Sequence, residues 1–145
     1  MDGSGSVKEA AMVDVARSLT DRHVLVVEDD YFIMDELRQS FERSGATVLG
    51  PVGSIEEALA LAEGSPRIDA AVLDINLHGE MAFPVADALR TRGIPIIFAT
   101  GYGAATIPER FADAPHCEKP VEPEMIARLI LAYEGDATAE ATTAA

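Results

Sequence analysis

The segment Ala70-Ala71-Val72-Leu73-Asp74-Ile75-Asn76 decides the fold of this 145-residue chain. Its first four residues are apolar and run directly into a carboxylate, and His78 and Gly79 follow soon after. A short apolar run that ends at turn residues is typical of a strand buried on both faces of a parallel sheet. We therefore predict that Asp74 stands at the C-terminal end of this strand, the edge at which open α/β sheets bind ligands.

Strands and helices alternate along the chain on both sides of that segment. Apolar runs predict four further strands, at residues 23–27, 46–49, 94–99 and 116–118. Helical spacing, with capping residues, prolines or glycines at the ends, predicts helices at residues 31–44, 55–63, 82–92, 107–112 (a weak one) and 123–133. The predicted fold is therefore α/β, a doubly wound five-stranded parallel sheet with five helices.

Composition and charge narrow the classes of function. Apolar residues make up 48% of the chain, and its length suits one domain with a single core. The net charge of −14, from 25 acidic and 11 basic residues, argues against direct binding to nucleic acid. No apolar run is long enough to cross a membrane, and no basic region precedes an apolar block at the N-terminus, so we expect a cytoplasmic protein. The single cysteine, Cys117, fits a reducing compartment.

Three regions are predicted along the chain. Residues 1–22 form an N-terminal extension in which residues 7–19 have the spacing of an amphipathic helix, residues 23–134 form the folded domain, and residues 135–145 form a disordered tail. A helix as short as the one in the extension needs a surface to pack on. Its own domain and a second copy of the chain both remain open as that surface, and a helix that stays frayed is the third open alternative. We expect a monomer or a weak dimer.

Polar side chains follow the predicted strands at one edge of the sheet. In chain order they are Glu28, Asp29 and Asp30 after the first strand, Asp74 and Asn76 after the third, Thr100 after the fourth and Lys119 after the fifth. Asp30 is expected to cap the next helix. Gathered carboxylates repel one another unless a cation lies among them, and Mg²⁺ takes oxygen ligands while keeping phosphate or water oxygens. A lysine and a hydroxyl beside such an ion hold a phosphoryl group, which the central Asp74 is placed to accept as an aspartyl phosphate.

This set of residues resembles the receiver domain of response regulators, which has the CheY-like form of the flavodoxin-like fold. The resemblance covers residues 23–134, with every signature position in the family's order. It implies that Asp74 is the phosphoacceptor. It also implies that Lys119 pairs first with Asp74 and then with the phosphoryl group, and that Thr100 reaches a phosphoryl oxygen after transfer.

The same resemblance implies a Mg²⁺ site beside the phosphoacceptor. Asp29 would bind the ion directly, Glu28 mainly through water, and Asn76 through its carbonyl, with Asp74 as a further ligand. The phosphoryl donor would be a phosphohistidine on a sensor histidine kinase or a phosphotransfer protein.

The motif Phe98-Ala99-Thr100-Gly101-Tyr102 further resembles the FAT GUY subgroup, stand-alone receivers typical of alphaproteobacteria and linked to general stress signalling. His116 departs from the wider family, because many receivers carry an aromatic switch residue three positions before the lysine. We therefore expect ordering of the loop at Gly101 and Tyr102 to replace the rotation of an aromatic ring. Tyr102 and His116 are expected to belong to the switch and partner surface.

The expected function is that of a stand-alone response regulator and not an enzyme. It would signal by phosphorylation-dependent binding to a downstream protein that the sequence does not identify, or by shuttling phosphate. One alternative is a phosphatase or phosphotransferase with an aspartate nucleophile; the haloacid-dehalogenase-like pattern needs a second acid where this chain has Asn76. A second alternative is a binding module that works without phosphorylation.

Overall fold

The computed structural model describes residues 19–101 and 107–132 of the chain. Strands and helices alternate through these residues, as the sequence predicts. The elements are β1 (His23–Val27), α1 (Tyr31–Arg43), β2 (Thr47–Val52), α2 (Ile55–Gly64), β3 (Ala70–Asp74), β4 (Asn76–Leu77), β5 (Glu80–Met81), α3 (Phe83–Thr91), β6 (Ile96–Thr100), a 3-10 helix (Glu109–Phe111), β7 (His116–Glu118) and α4 (123–132).

Five of the strands form one parallel sheet in the order β2-β1-β3-β6-β7. The strand order reverses direction between β1 and β3, so the crevice at their C-terminal ends is the topological switch point at which such sheets bind ligands. The register pairs Asp74 with Ala99 and Thr100 with Glu118, so successive strand ends lie side by side. The predicted doubly wound α/β fold is confirmed.

Both faces of the sheet are covered, which explains the continuous apolar runs of the central strands. All five residues of β3 are buried. Its side chains alternate between two cores, with Ala71 and Leu73 packed on the α2 and α3 side and Ala70 and Val72 on the α1 and α4 side. Asp74 ends the run where the chain leaves the sheet.

Helices α1 and α2 begin directly after capping residues. Asp30 accepts hydrogen bonds from the N–H groups of Phe32 and Ile33 at the start of α1, which confirms its capping role. The Ser54 hydroxyl accepts a bond from the Glu57 N–H at the start of α2. The capping of α1 matters for the site, because it fixes the chain next to Glu28 and Asp29.

Three features differ from the sequence prediction or are absent from it. Strand β2 does not end before Gly50-Pro51 but continues to Val52, because the positive φ of Gly50 (+89°) lets the strand bulge and pair again at Val27. The Gly50-Pro51 peptide bond is cis. The fourth predicted helix, at residues 107–112, is only the 3-10 helix, so the structure has four α-helices in its described residues. Pro108 lacks an N–H group and has an extended ψ of 150°, so no longer helix starts there.

The third difference is a β4–β5 hairpin directly after Asp74. Its turn is His78-Gly79, with φ angles of +51° and +91°, and it pairs Asn76 with Met81. Two consecutive left-handed residues are typical of the tight turns that join antiparallel strands. His78 and Gly79 mark the end of β3 in the sequence, but strands of only two residues leave no apolar pattern, so the hairpin itself was not predicted.

The ends of the chain lie mostly outside the described residues. The predicted helix at residues 7–19 is represented only by Leu19, which is fully buried in the α1 and α4 core and donates its N–H to the Ser44 carbonyl at 3.0 Å. The predicted tail, residues 135–145, is outside the description altogether. Within the described ranges, no helix is both long and apolar enough to span a bilayer.

Candidate functional site

A pocket of about 340 Å³ opens at the C-terminal edge of the sheet. The loops after β1, β3, β6 and β7 meet there, because parallel strands deliver their ends to the same edge. The residues that line it are Asp29, Asp74, Asn76, Thr100, Gly101 and Lys119. All six were singled out from the sequence, and the structure brings them together.

Asp74 is the buried carboxylate at the centre of this pocket, with only 5% of its surface exposed. One oxygen, Oδ2, accepts a hydrogen bond from Lys119 Nζ at 2.9 Å. The other oxygen, Oδ1, accepts the N–H of Asn76 at 3.2 Å. Both oxygens are therefore held in place, and the carboxylate cannot rotate freely.

Lys119 is positioned by its backbone as well as by its charge. Its N–H donates to the Thr100 carbonyl at 2.8 Å, directly after the pairing of Glu118 with Thr100. The Nζ atom reaches Glu28 at 3.2 Å as well as Asp74. Burial lowers the pKa of Lys119, but the hydrogen bonds and charges of Asp74 and Glu28 outweigh burial and raise it, so the ammonium stays protonated. The peptide bond from Lys119 to Pro120 is cis.

Glu28 is almost fully buried, with 1% of its surface exposed. Burial raises the pKa of its carboxyl group to about 7, and the nearby charge of Asp74 adds to the rise. The N–H of Asp30 and the ammonium of Lys119 oppose this rise without cancelling it. Burial of Glu28, together with the charge of Asp74, therefore outweighs the stabilisation that these two partners give to the ionised form.

The carboxylates of Glu28, Asp29 and Asp74 are arranged to share a cation. Each offers an oxygen, and the three oxygens lie within 4.8 Å of one another. A set of hard, negatively charged oxygen donors fits Mg²⁺ or Ca²⁺ and not a soft metal. The raised pKa of Glu28 is consistent with this fit, because a divalent ion would relieve the repulsion between Glu28 and Asp74.

The β4–β5 hairpin after Asp74 holds the carboxylate of Asp29 in place. The N–H of His78 donates to Asp29 Oδ2 at 2.9 Å, and its ring atom Nδ1 lies 3.3 Å from the same oxygen. Asn76 supports the turn, because its side-chain oxygen accepts the N–H of Gly79 at 2.7 Å. The contact of His78 with Asp29 was not predicted, and the closeness of His78 to Asp74 in the chain is the only sequence signal for it.

The remaining candidates occupy different surroundings. Thr100 is buried at the end of β6, and Gly101 is exposed beside it at the pocket. Tyr102 lies outside the described residues. His116 is exposed on β7 and does not line the acidic pocket; it lines a second pocket, of about 400 Å³, together with residues of α4 such as Met125.

Comparison with known proteins identifies the family of this chain. The model of the response regulator receiver domain matches residues 24–130. The chain belongs to this family. The receiver spans about half the length of the curated relatives it matches.

Three relatives illustrate the similarity. The solution structure of SdrG from Sphingomonas melonis Fr1 is 38% identical, with a TM-score of 0.66, covering 76% of this chain and 96% of SdrG; SdrG is also known in a BeF3-activated conformation. The phyllosphere-induced regulator PhyR of Methylorubrum extorquens is 31% identical over 74% of this chain and 41% of PhyR. A response regulator from Burkholderia pseudomallei, solved with a phosphorylated aspartic acid, a calcium ion and citrate, is 25% identical, with a TM-score of 0.66 over 83% of this chain and 72% of that one.

Proposed function

We propose that this receiver accepts a phosphoryl group on Asp74 from a phosphohistidine of a sensor kinase or phosphotransfer protein. The observation that carries the proposal is the position of Asp74, a buried carboxylate between Lys119 and two further acidic residues at the switch point of the sheet. The Burkholderia relative, with its phosphorylated aspartic acid and calcium ion, supports this chemistry in a protein of the same fold.

The transfer step balances without a further reactant. An oxygen of the Asp74 carboxylate forms a bond to phosphorus while the bond from phosphorus to the donor imidazole breaks. The imidazole leaves with the electron pair of that bond and takes up a proton from water. Lys119, which holds Asp74 before transfer, is placed to bind a phosphoryl oxygen afterwards, and the Thr100 hydroxyl is proposed to bind another.

Glu28, Asp29 and Asp74 are the residues that we propose hold Mg²⁺, with the carbonyl of Asn76 as a further ligand. Bound Mg²⁺ supplies positive charge that offsets the charge on the phosphoryl oxygens. The contact of His78 with Asp29 keeps the Asp29 carboxylate oriented at the pocket. This assignment is supported by the spacing of the three carboxylates.

Phosphorylation is proposed to act as a switch through Thr100 and Lys119. Changing a two-state ratio from 1:99 to 99:1 requires about 5.5 kcal/mol of differential interaction. Each charge-assisted hydrogen bond to the phosphoryl group contributes roughly 1.5–3 kcal/mol. Two such bonds together contribute roughly 3–6 kcal/mol, which reaches that requirement only near the upper end of the range, so we propose that binding of a downstream protein supplies the remainder.

We further propose that the receiver works as a stand-alone, cytoplasmic regulator of the FAT GUY type, in general stress signalling. The support is the motif at residues 98–102 and the similarity to SdrG, which this chain covers almost completely. A phosphatase role is disfavoured by Asn76, which is not an acid and whose side-chain oxygen is bonded to the hairpin turn.

The proposal is tested by titrating ¹⁵N-labelled protein with Mg²⁺ and then with beryllofluoride, an analogue of the phosphoryl group. We expect amide shifts at Asp29, Asp74 and Asn76 with Mg²⁺, which spread to Thr100 and Lys119 with beryllofluoride. The Asp74→Asn variant should lose the second response. The matched control Asp35→Asn, an exposed aspartate on α1, should keep both responses. Absence of both responses in the wild type would refute the proposed site.

A further inference from the structure

Residues 109–113, which include the 3-10 helix, are fastened to α3 by reciprocal charged contacts. From the 3-10 helix, Arg110 donates through Nε and Nη2 to the two carboxylate oxygens of Asp87, at 3.1 and 3.0 Å. From α3, Arg90 donates to Asp113 Oδ1 and to the Arg110 carbonyl, each at 2.6 Å. We call these four residues, Asp87, Arg90, Arg110 and Asp113, the α3 clamp.

The clamp surrounds a buried aromatic ring. Phe111 is 1% exposed, and its ring centroid lies 4.6 Å from the guanidinium carbon of Arg110 and 5.2 Å from that of Arg90. Both distances are within the range of cation–π contacts. The same ring is stacked on Phe83 at 5.8 Å and meets Phe98 edge-on at 5.5 Å. The clamp therefore closes over a packed cluster and not over open surface.

This cluster lies where the two chain segments that leave the pocket come together. Phe98 precedes Thr100 by two residues on β6. Phe83 begins α3 just after the hairpin, and the N–H of Ala82 donates to the carbonyl of Ile75, the residue next to Asp74. A movement that started at Asp74 or Thr100 would therefore reach the clamp unless the chain between them changed conformation instead.

The chain beside Thr100 is less constrained than residues 109–113. Gly101 is exposed, and a glycine backbone adopts more conformations than that of any other residue. For residues 109–113 to move, two ion pairs, a main-chain contact and both ring contacts of Phe111 must break together. One exposed ion pair is weak alone, but contacts that share one buried ring reinforce each other.

We propose that the α3 clamp holds residues 109–113 on α3 in both the free and the phosphorylated states, so that the conformational response of the receiver ends before Glu109. This inference rests on the proposed function and concerns the regulation of the same site. It assigns α3 and the 3-10 helix to the fixed part of the molecule. The response is then confined to the chain next to Thr100 and to the strand that carries Lys119.

The test compares the full-length wild type with a double variant, Asp87→Asn with Asp113→Asn. Both side chains are more than half exposed, so the substitutions remove the ion pairs without disturbing the core. The reporters are the amides of Phe111 and Ala112, which donate to the carbonyls of Pro108 and Glu109 within the turn. Asp35→Asn, which removes an exposed pair with Arg38 on α1, is the matched control.

With Mg²⁺ and beryllofluoride, the wild type should show large amide shifts at Gly101 and Lys119 and several-fold smaller ones at Phe111 and Ala112. In the double variant the response should spread into Phe111 and Ala112. Their amide exchange should also become roughly fivefold faster, as expected when two exposed ion pairs of ordinary strength are lost. The Asp35→Asn variant should behave as the wild type does.

The other outcomes distinguish failure of the clamp from failure of the proposed phosphorylation function. Wild-type shifts at Phe111 and Ala112 as large as those at Gly101 would overturn the clamp but leave the phosphorylation site intact. A double variant that matches the wild type would show that the four charged residues do not confine the response. Absence of any shift at Gly101 and Lys119 would overturn the proposed function and, with it, this inference.

Discussion

The ammonium nitrogen of Lys119 lies 2.9 Å from Asp74 Oδ2, and the same nitrogen lies 3.2 Å from Glu28, so one cation serves two buried carboxylates. The backbone of Lys119 is at the same time bonded to the Thr100 carbonyl. The charge balance of the pocket and the position of β7 therefore depend on one residue. This double connection is the physical reason why a change of charge at Asp74 is expected to be felt at Thr100.

Replacing Lys119 with methionine should destabilise the metal-free protein. The variant leaves the carboxylates of Asp74 and Glu28 without their shared cation. We expect a loss of about 2–4 kcal/mol in the free energy of unfolding, slightly below the value for a fully buried pair because 24% of the lysine side chain is exposed. Urea unfolding with and without Mg²⁺ checks this.

Saturating Mg²⁺ should restore much of the loss, because the ion replaces the missing positive charge. Mg²⁺ should thus stabilise Lys119→Met more than it stabilises the wild type. Arg38→Met, which removes a cation from an exposed pair, is the control and should respond to Mg²⁺ as the wild type does. A Lys119→Met variant as stable as the wild type without metal would contradict the account.

Glu28 should make the stability of the metal-free receiver depend on pH. Its pKa is about 7 in the folded protein and 4.5 as an ordinary carboxyl group, because of burial and of the charge on Asp74. The folded state therefore binds this proton more tightly, and ionised Glu28 opposes folding. This penalty is absent below about pH 4.5, grows as the pH rises towards 7, and is complete above it.

The Glu28→Gln variant should remove that penalty. Relative to the wild type in a chelator, it should be more stable by about 1–3 kcal/mol above pH 7, since one pKa unit corresponds to about 1.4 kcal/mol. The advantage should vanish near pH 4.5. Chemical unfolding at a series of pH values measures it, and Glu63→Gln on the exposed end of α2 is the control. An advantage that is constant with pH would show that Glu28 is ionised throughout.

Leu19 should matter to stability although it precedes the first strand. It is completely buried against the α1 and α4 core. Leu19→Ala should lower the free energy of unfolding by about 2–5 kcal/mol, from lost burial and the cavity left behind. Met81→Ala, at a side chain that is 47% exposed, should have little effect under the same urea unfolding. A cost for Leu19→Ala as small as that for Met81→Ala would exclude Leu19 from the core.

The sheet and most of the pocket could be predicted from the sequence. Strands buried on both faces leave continuous apolar runs, and the first polar residue after each run, such as Asp74 or Thr100, marks the edge where ligands bind. Because parallel strands share that edge, Lys119 could be placed beside Asp74 although 45 residues separate them. The burial of Asp74 and Thr100, the last residues of β3 and β6, follows from the same logic.

The backbone conformation between the strands could not be predicted from the sequence. Pro51 normally ends a strand, and only the local geometry at Gly50 lets β2 continue to Val52. His78 has a positive φ of 51°, which is uncommon for residues other than glycine, and nothing in the residue type indicates that its N–H contacts Asp29, so this contact left no pattern. In both places the tertiary context outweighs the preference of the individual residue.

The most direct test of the central claim is to incubate the full chain and Mg²⁺ with phosphoramidate, whose phosphorus–nitrogen bond resembles that of phosphohistidine, and to measure the intact mass. We predict a gain of one phosphoryl group, which peptide mapping assigns to Asp74 and which a chelator abolishes. Asp74→Asn should gain nothing, whereas Asp35→Asn should be labelled like the wild type. Labelling of Asp74→Asn to the wild-type extent, or no labelling of the wild type, would contradict the account.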